Sequence, residues 1–378
     1  MSWKETYNAW KNYQALEPDL KDELAKLEGN DEALEDAFYA PMEFGTAGMR
    51  GVIGAGINRM NVYTVRQATE GLASLMDTLD EETKRRGVAI SYDSRHKSQE
   101  FAFESARVLG AHGIPSFVFE SLRPTPELSF TVRHLHAYAG IMITASHNPK
   151  QYNGYKIYGE DGAQMPPKES DLITKYIREV DDIFAVEAAD KDALINDGTL
   201  KVIGSEIDKE YLAEVKKVTV DPELVAEEGK TMKLIFTPLH GTGAMLGEKA
   251  LRQAGFEDFT MVPEQATPDS DFSTVEHPNP EFPEAFDLAI KLGKRDDADL
   301  LIAVDPDADR LGAAVRQPDG DYKLLTGNQI AAIMLNYILT ARKNAGTLPE
   351  NGALVKSIVS SEFAAKIAKD FGCDTINV

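Results

Sequence analysis

Cysteine is nearly absent from this sequence, and long hydrophobic runs are missing altogether. The one cysteine, Cys373, cannot form a disulfide within the chain, which indicates a reducing compartment. The most apolar stretch, residues 330–341, is interrupted by Asn336 and is too short to span a bilayer. Residues 1–38 are charged and amphipathic and lack the apolar core of a signal peptide. These absences predict a cytoplasmic protein that does not bind membranes.

Positive charge is also scarce. The chain has 40 lysines and arginines against 62 aspartates and glutamates, which gives a formal net charge of -22. An acidic surface repels nucleic acid and anionic lipid, so neither is expected as a partner. The same surface repels a phosphorylated substrate. A chain of this composition that binds one must therefore concentrate positive charge locally.

Three segments repeat one pattern of short apolar strand, polar loop, helix and second strand. They begin near residues 88, 233 and 353, and each has the form of a βαβ unit. The fold class predicted is α/β, with repeated α/β domains built on mixed or parallel sheets. The chain has 378 residues, more than the ~250–300 residues at which a single core stops growing, so two or three domains are expected.

The domains predicted from this pattern are residues 1–205, 206–320 and 321–378. Residues 1–38 have the pattern of an amphipathic helix, and the acidic residues 183–227 that of a surface helix region between the first two domains. The third unit ends at Val378, inside its second strand. Because a domain seldom ends within a strand, we expect the chain to be a fragment of a longer protein.

A serine lies at the end of the apolar strand in the segment GIMITASHNPKQYNGYK, residues 140–156. Ser146 is followed by His147, and Lys150 and Lys156 are close in sequence. A serine in this setting is a candidate nucleophile. The alternative is a polar turn capped by serine and asparagine. The GxSxG pattern of serine hydrolases is absent.

Three carboxylates follow another apolar strand, in the segment LLIAVDPDADR, residues 300–310. Asp305, Asp307 and Asp309 would repel one another unless a cation neutralised them, and their all-oxygen ligands suit Mg²⁺ better than zinc. An EF-hand is excluded because Arg310 stands where that loop needs glycine. The alternative is a solvated acidic turn. Arg310 favours the metal site, because it supplies an anion clamp beside the cation.

Residues 44–61 contain five glycines together with Thr46 and Arg50. Exposed backbone N–H groups and an arginine can bind an anion, although this segment lacks the lysine of a P-loop. Phosphate contact is therefore expected here, from Thr46 and Arg50.

These segments together resemble the α-D-phosphohexomutase family. FGTAGMRG is similar to its N-terminal phosphate-contacting loop, TASHNPKQYNGYK to its phosphoserine loop, and DPDADR to its magnesium loop. The residues of the phosphoserine loop and the magnesium loop are most similar to those of the phosphoglucomutase and phosphopentomutase branch. The resemblance implies a heart-shaped protein of four domains around a central cleft. By that resemblance the chain stops before the family's sugar-selecting loop and its fourth, phosphate-clamping domain, so we expect it to lack complete activity.

The activity implied by the resemblance is the interconversion of glucose 1-phosphate and glucose 6-phosphate. A phosphoryl group on Ser146 would pass to the substrate, and glucose 1,6-bisphosphate would be both the intermediate and an activator. The metal ligands implied are Ser146, Asp305, Asp307 and Asp309, the catalytic residues Ser146, His147 and Lys156, and the substrate-binding residues Thr46, Arg50, Ser146, Asp309 and Arg310.

Other functions remain open. Phosphopentomutase and phosphomannomutase activities share the same chemistry, and a phosphatase of the haloacid dehalogenase type would use Asp305 as the nucleophile. That pattern has threonine or valine where Asp309 stands. A non-catalytic phosphosugar-binding fragment is the third alternative, since the incomplete chain is expected to bind Mg²⁺ but to turn over poorly. A monomer or weak homodimer is expected.

Overall fold

The computed structural model describes residues 2–45 and 48–378, which form fifteen α-helices, one 3₁₀-helix at Pro283–Phe286 and thirteen strands. The helices are α1 (Trp3–Asn12), α2 (Pro18–Leu27), α3 (Asp31–Phe38), α4 (Val62–Asp77), α5 (Glu81–Arg85), α6 (Ser98–Ala111), α7 (Thr125–His134), α8 (Pro167–Arg178), α9 (Lys191–Asp197), α10 (Ser205–Lys217), α11 (Pro222–Glu228), α12 (Gly243–Ala254), α13 (Asp287–Asp296), α14 (Gly327–Asn344) and α15 (Glu362–Asp370). The strands are β1 (Met49–Val52), β2 (Val88–Tyr92), β3 (Ser116–Phe119), β4 (Ala139–Ile143), β5 (Tyr152–Tyr158), β6 (Leu200–Ile203), β7 (Leu234–Thr237), β8 (Phe259–Met261), β9 (Leu300–Val304), β10 (Leu311–Arg316), β11 (Tyr322–Leu324), β12 (Ala353–Lys356) and β13 (Asp374–Asn377).

The first sheet has six strands in the order β1-β5-β4-β2-β3-β6. Strands β4, β2, β3 and β6 are parallel, while β5 and then β1 add antiparallel pairs at one edge. Strand β2 is buried along its whole length, because α6 and α7 both pack against it. Val88 and Ile90 join one core cluster and Ala89 another. A strand covered on both faces has apolar residues at nearly every position, which explains the apolar run Val88–Ile90.

The second sheet has five strands in the order β11-β10-β9-β7-β8. Strands β8, β7 and β9 are parallel, and β10 and β11 are antiparallel additions. Helix α13 covers β7 and β9 through a core that includes Phe286, Ala289 and Leu301. Both large sheets are therefore mixed, which confirms the predicted fold class.

The last unit is small. Strands β12 and β13 form a two-stranded parallel sheet, and α14 and α15 pack around Leu339, Ala368 and Cys373. Among residues 2–45 and 48–378, no helix combines the length and apolar character needed to cross a membrane.

The prediction of one amphipathic helix over residues 1–38 was wrong, because three helices occupy this segment. Pro18 starts α2 at its first turn, and Gly29, in the left-handed region at φ 89°, separates α2 from α3. The helices are not a surface appendage. Trp10 is 1% exposed and contacts the rings of Phe38 and Phe184, which lies in the segment after α8.

Residues 183–227 were predicted to be a surface helix region, and they are not helical throughout. This segment holds α9, α10 and α11 but also strand β6, which pairs with β3 in register Ser116 to Leu200. The strand completes the edge of the first sheet. Local composition is acidic here, so the pairing with β3 was not visible in the sequence.

His112 follows α6 and ties that helix to α4. Its Nε2 lies 3.0 Å from Glu70 Oε2, and its Nδ1 lies 2.6 Å from Asp77 Oδ2. The hydrogen bond to Glu70 and the contact with Asp77 raise the pKa of His112 to about 9, although burial acts in the opposite direction. The folded protein therefore holds a proton that the unfolded chain releases above about pH 6.5.

This linkage predicts a pH-dependent contribution to stability. It is fully present below about pH 6.5 and is lost as the pH rises through about 9. We expect His112→Gln to lower the melting temperature at pH 6 clearly more than at pH 9.5. The measurement is thermal unfolding of both proteins at the two pH values, with the exposed His134→Gln as control. An equal difference at both pH values would contradict the ion-pair interpretation.

Candidate active site

The serine loop, residues 144–149, connects the buried strand β4 to β5. Ser146 is 1% exposed and has left-handed backbone angles at φ 53°, a conformation that is uncommon for a residue other than glycine. The hydroxyl of Thr144 accepts a hydrogen bond of 2.8 Å from the Ser146 amide. The strand thus ends in a turn that presents the Ser146 side chain to the second sheet.

The aspartate loop, residues 305–309, connects β9 to β10 in the second sheet. Asp305 and Asp307 are fully buried, and the side chain of Asp309 is 33% exposed. One carboxylate oxygen from each of the three lies within 4.8 Å of the others. The loop curls because Asp305 Oδ1 accepts the amides of Asp309 and Arg310 at 3.1 and 3.0 Å.

The two loops meet although they are far apart in sequence. The Ser146 hydroxyl donates to Asp305 Oδ2 at 2.7 Å, across a separation of 159 residues. The same hydroxyl lies 3.1 Å from Nδ1 of His147. A potential nucleophile, a cluster of carboxylates and an imidazole therefore share one small volume.

The carboxylates are electrostatically unbalanced. Burial and the nearby Asp307 raise the pKa of Asp305 well above its usual range. Burial acts in the same direction on Asp307, but Lys156 together with the hydrogen bonds to Asp305 and Thr125 outweighs it, so the pKa of Asp307 is below its usual value. Lys156 Nζ lies 3.0 Å from Asp307 Oδ2 and 3.6 Å from Asp309 Oδ2. One buried lysine thus pairs with two of the three carboxylates.

The donor set fits a hard divalent cation. Asp307 Oδ1 is buried and has no hydrogen-bond partner among the residues that the structure describes, which is the state expected of an oxygen that binds an ion. The cluster contains only carboxylates, without histidine or cysteine, and oxygen ligands of this kind suit Mg²⁺. The three aspartates could therefore hold a metal ion.

Comparisons with known proteins identify the family. Residues 41–183 match the α/β/α domain I of phosphoglucomutase/phosphomannomutase, and residues 209–320 match its α/β/α domain II. The two matches together take in more than half of the chain, and they contain the serine loop and the aspartate loop respectively. The chain belongs to the phosphoglucomutase/phosphomannomutase family.

Relatives within this family are phosphoglucomutases. That of Staphylococcus aureus strain N315 is 38% identical over 335 residues, which are 88% of this chain and 58% of that protein. That of Staphylococcus saprophyticus is 38% identical over 341 residues, 90% of this chain and 60% of the relative. The chain thus spans about three fifths of the length of the curated relatives it matches. A putative phosphomannomutase from Thermus thermophilus has the same fold, with a TM-score of 0.69, 24% identity and coverage of 90% of this chain and 69% of that chain.

In this family member the arginines selected from the sequence lie near the serine loop. Arg50, on β1, is exposed, and its Nη1 lies 3.4 Å from Asn148 Oδ1. Arg310 is exposed too and pairs with Glu281 at 3.5 Å. Burial, with the charges of Arg310 and Arg50, lowers the pKa of His147, so its imidazole is neutral at pH 7. Thr46 lies outside the described residues.

Two neighbours of the aspartate loop were not selected from the sequence. Thr125, the first residue of α7, donates its amide to the Asp307 carbonyl and its hydroxyl to Asp307 Oδ2, both at 2.9 Å. Gly241, in the loop after β7, lies against Pro306, where an added Cβ would be 2.3 Å from Pro306 Cα. Residues 240–243 have the pattern of an ordinary turn after a strand, and no local signal marks Thr125.

A third neighbour, Arg95, follows β2 and lies behind the serine loop, 3% exposed. Its signal in the sequence is a charged residue three positions after the end of a fully buried strand. Arg95 contacts four backbone carbonyls of the serine loop and the residues after it.

Replacement of Arg50 by alanine is expected to slow phosphoryl transfer by about 10- to 100-fold, the effect of losing a hydrogen bond to a charged group of ~1.5–3 kcal/mol. Stability should change little, because the side chain is exposed and makes one long hydrogen bond. The measurements are the transfer rate and the melting temperature, with the exposed Arg178→Ala as control. A large fall in melting temperature with a normal rate in the folded fraction would make Arg50 structural.

Proposed function

We propose that this protein is a phosphoglucomutase that interconverts glucose 1-phosphate and glucose 6-phosphate through a phosphoryl group carried on Ser146. The observation that carries the proposal is the 2.7 Å contact between the Ser146 hydroxyl and the carboxylate of Asp305 within the three-aspartate cluster. A hydroxyl held against a metal-binding cluster is suited to receive and return a phosphoryl group. The name of the curated relatives, at 38% identity, supports glucose as the sugar.

The reaction needs an enzyme-bound phosphoryl group because one sugar cannot pass it in line between its own two hydroxyls. Phosphorylated Ser146 transfers the group to the free hydroxyl of the substrate: a new O–P bond forms on the sugar, and the bond to Ser146 Oγ breaks. The bisphosphate turns round, and the other phosphoryl group returns to Ser146. Glucose 1,6-bisphosphate added from solution would phosphorylate Ser146 by the second half of this cycle, which makes it an activator.

Mg²⁺ is the ion we assign to Asp305, Asp307 and Asp309, with an oxygen of Ser146 or its phosphate as a further ligand. When bound, it stabilises negative charge on the transferred group. We expect the sugar phosphate to approach from the side of the exposed Arg50, Arg310 and Asp309. The two arginines would bind phosphoryl oxygens bidentately, and they supply the local positive charge that an acidic protein needs.

Proton transfer is better assigned to His147 than to Lys156. His147 Nδ1 is 3.1 Å from the Ser146 hydroxyl, and its lowered pKa keeps the ring neutral and able to accept a proton. Burial alone would lower the pKa of Lys156, but Asp307, Tyr158 and Asp309 together outweigh it and raise that pKa, so this lysine stays charged. Lys156 would then neutralise the carboxylates and the transferred group.

The phosphatase alternative is less well supported by the positions of the Asp305 oxygens. Oδ1 accepts two backbone amides, and Oδ2 accepts the Ser146 hydroxyl. These hydrogen bonds weaken the carboxylate as a nucleophile, although lone pairs remain for a metal ion. Phosphopentomutase, phosphomannomutase and non-catalytic phosphosugar binding would use the same site. A cytoplasmic, monomeric or weakly dimeric protein is part of the proposal, as its acidic surface and single cysteine suggest.

The test is to incubate the protein with Mg²⁺ and glucose 1,6-bisphosphate and to locate the acquired phosphoryl group by peptide mass spectrometry. Phosphate on Ser146 would support the proposal, and phosphate on Asp305 would support the phosphatase. Binding without transfer would identify a binding protein. Parallel turnover assays with glucose 1-phosphate, mannose 1-phosphate and ribose 1-phosphate then decide the sugar, and a preference for either of the last two would overturn glucose.

A further inference from the structure

Arg95 organises the backbone of the serine loop. Its Nη2 donates to the carbonyls of Ser146 and Asn148, the first at 2.6 Å, and its Nη1 donates to those of Pro149 and Tyr152 at 2.9 and 3.0 Å. The guanidinium has the planar, multi-donor geometry that four converging carbonyls require, which a lysine lacks. One buried side chain therefore fixes the path of the chain on both sides of His147.

The same arginine reaches the amide of Ser146 through two other side chains. Arg95 Nε lies 3.1 Å from Asp93 Oδ2, and that oxygen accepts the Thr144 hydroxyl at 2.6 Å. The Thr144 oxygen in turn accepts the Ser146 amide at 2.8 Å. Both peptide groups of Ser146 are thus held. A residue at φ 53° keeps that conformation only where its surroundings determine it several times over.

A residue from the core of the second sheet covers the face of the Arg95 guanidinium. The docking segment, residues 269–275, places the ring of Phe272 with its centroid 5.0 Å from the Arg95 guanidinium carbon. Phe272 is 2% exposed and belongs to the core cluster of the second sheet. The cation and the ring are both buried away from water, so neither partner of the contact is free to move into solvent.

Polar contacts hold the docking segment around this pair. The Ser270 hydroxyl donates to the Ser94 carbonyl at 2.8 Å. Asp271 Oδ1 lies 3.3 Å from His96 Nε2 and 3.1 Å from Lys150 Nζ. The docking segment therefore contacts the residues on either side of Arg95 and the residue just after the serine loop.

We propose that Arg95 is a positioning residue for phosphoryl transfer and that Phe272 orders the serine loop through it. The domain that bears the aspartate loop thus acts on Ser146 in two ways, through Asp305 in front and through Phe272 behind. Arg95 is buried, and its guanidinium is occupied by backbone carbonyls, Asp93 and Phe272, so we expect it to affect the orientation of Ser146 and not the binding of the sugar. The inference rests on the proposed function for its kinetic part only.

The experiment compares Phe272→Leu with Phe286→Leu. Both remove a ring from the core of the second sheet, and Phe286 is 1% exposed, but only Phe272 contacts Arg95. We expect Phe272→Leu to slow the phosphorylation of Ser146 by glucose 1,6-bisphosphate by about tenfold. The half-saturating bisphosphate concentration should be unchanged, and so should the calorimetric Mg²⁺ affinity. Hydrogen exchange of amides 144–154 should become faster in Phe272→Leu only.

A second pair tests the arginine itself. Arg95→Met is expected to slow transfer by about 100-fold and Arg95→Lys by about tenfold, since lysine keeps the charge but loses the fork of donors. Arg66→Met is the control, because Arg66 also combines a carboxylate, Glu104, with an aromatic face, that of Tyr63. If Arg95→Met does not fold, the transfer rates and hydrogen exchange of Phe272→Leu and Arg95→Lys decide whether the proposal holds.

The outcomes separate the two proposals. Equal rates and equal exchange in Phe272→Leu and Phe286→Leu would overturn the inference, and so would a normal rate in Arg95→Lys. A weaker apparent affinity for bisphosphate at unchanged maximal rate would also overturn it, because it would indicate substrate binding. If the unmodified protein acquires no phosphate on Ser146, the proposed function fails. The exchange comparison still tests the positioning role in that case.

Discussion

Ser146→Ala is expected to eliminate phosphoryl transfer to the protein. The hydroxyl is the only group at this position that can carry the phosphoryl group, and alanine offers no oxygen in its place. Transfer should fall by at least about 1,000-fold, or ~4 kcal/mol in the barrier. The measurement is the phosphate incorporated from glucose 1,6-bisphosphate at saturating Mg²⁺, together with the turnover of glucose 1-phosphate.

The control for this substitution is Ser105→Ala. Ser105 is fully buried in the same part of the protein, and its hydroxyl donates to the Phe101 carbonyl at 2.8 Å. It has no role in the proposed transfer. It should lose some stability and keep its rate. If Ser146→Ala retained a rate within about tenfold of the unmodified protein, ~1.4 kcal/mol, the phosphoserine mechanism would have to be abandoned.

Asp305→Asn is expected to weaken Mg²⁺ binding by about 100-fold, ~2.7 kcal/mol, and to reduce transfer by at least as much. The change removes one of three carboxylates and keeps the shape of the side chain. Isothermal titration with Mg²⁺ measures the affinity. The surface aspartate Asp319, in the turn before β11, provides the control Asp319→Asn, which should bind Mg²⁺ normally.

Without metal, the same variant should be no less stable than the unmodified protein. Three carboxylates lie within 4.8 Å of one another, and removal of one lessens their repulsion. We therefore expect Asp305→Asn to melt at or above the temperature of the unmodified protein in EDTA, and to show little of the stabilisation that Mg²⁺ gives the unmodified protein. Unchanged Mg²⁺ affinity would remove the metal assignment.

Much of the fold could be predicted from the sequence because it depends on short-range patterns. The apolar runs at β2 and β4 are buried on both faces, and such strands show as apolar stretches in the sequence. Strand β9 is also an apolar run, with one face buried and the other half-buried. The serine loop and the aspartate loop begin where these runs end. Their polar residues stood out because a polar cluster after a buried strand needs an explanation.

The errors have a common cause, which is that long-range packing outweighed local composition. Residues 1–38 have helical patterning throughout, but Pro18 and the turn at Gly29 divide them, and the core formed with Phe184 orients the pieces. Strand β6 is short and lies within acidic sequence, and it forms because β3 offers a free edge. Neither effect leaves a signal in a local window.

The sequence by itself determined the chemistry of the site: a serine beside histidine, three aspartates in five residues, and arginines among glycines. These residue types favour a phosphoryl group and a hard cation as ligands. Only the tertiary structure decided how they combine. Ser146 meets Asp305 across 159 residues, and Arg95 becomes important because four carbonyls and the ring of Phe272 converge on it. The physical reason is that reactivity depends on distances between atoms from separate sheets, and those distances are set by packing that no single segment of the chain encodes.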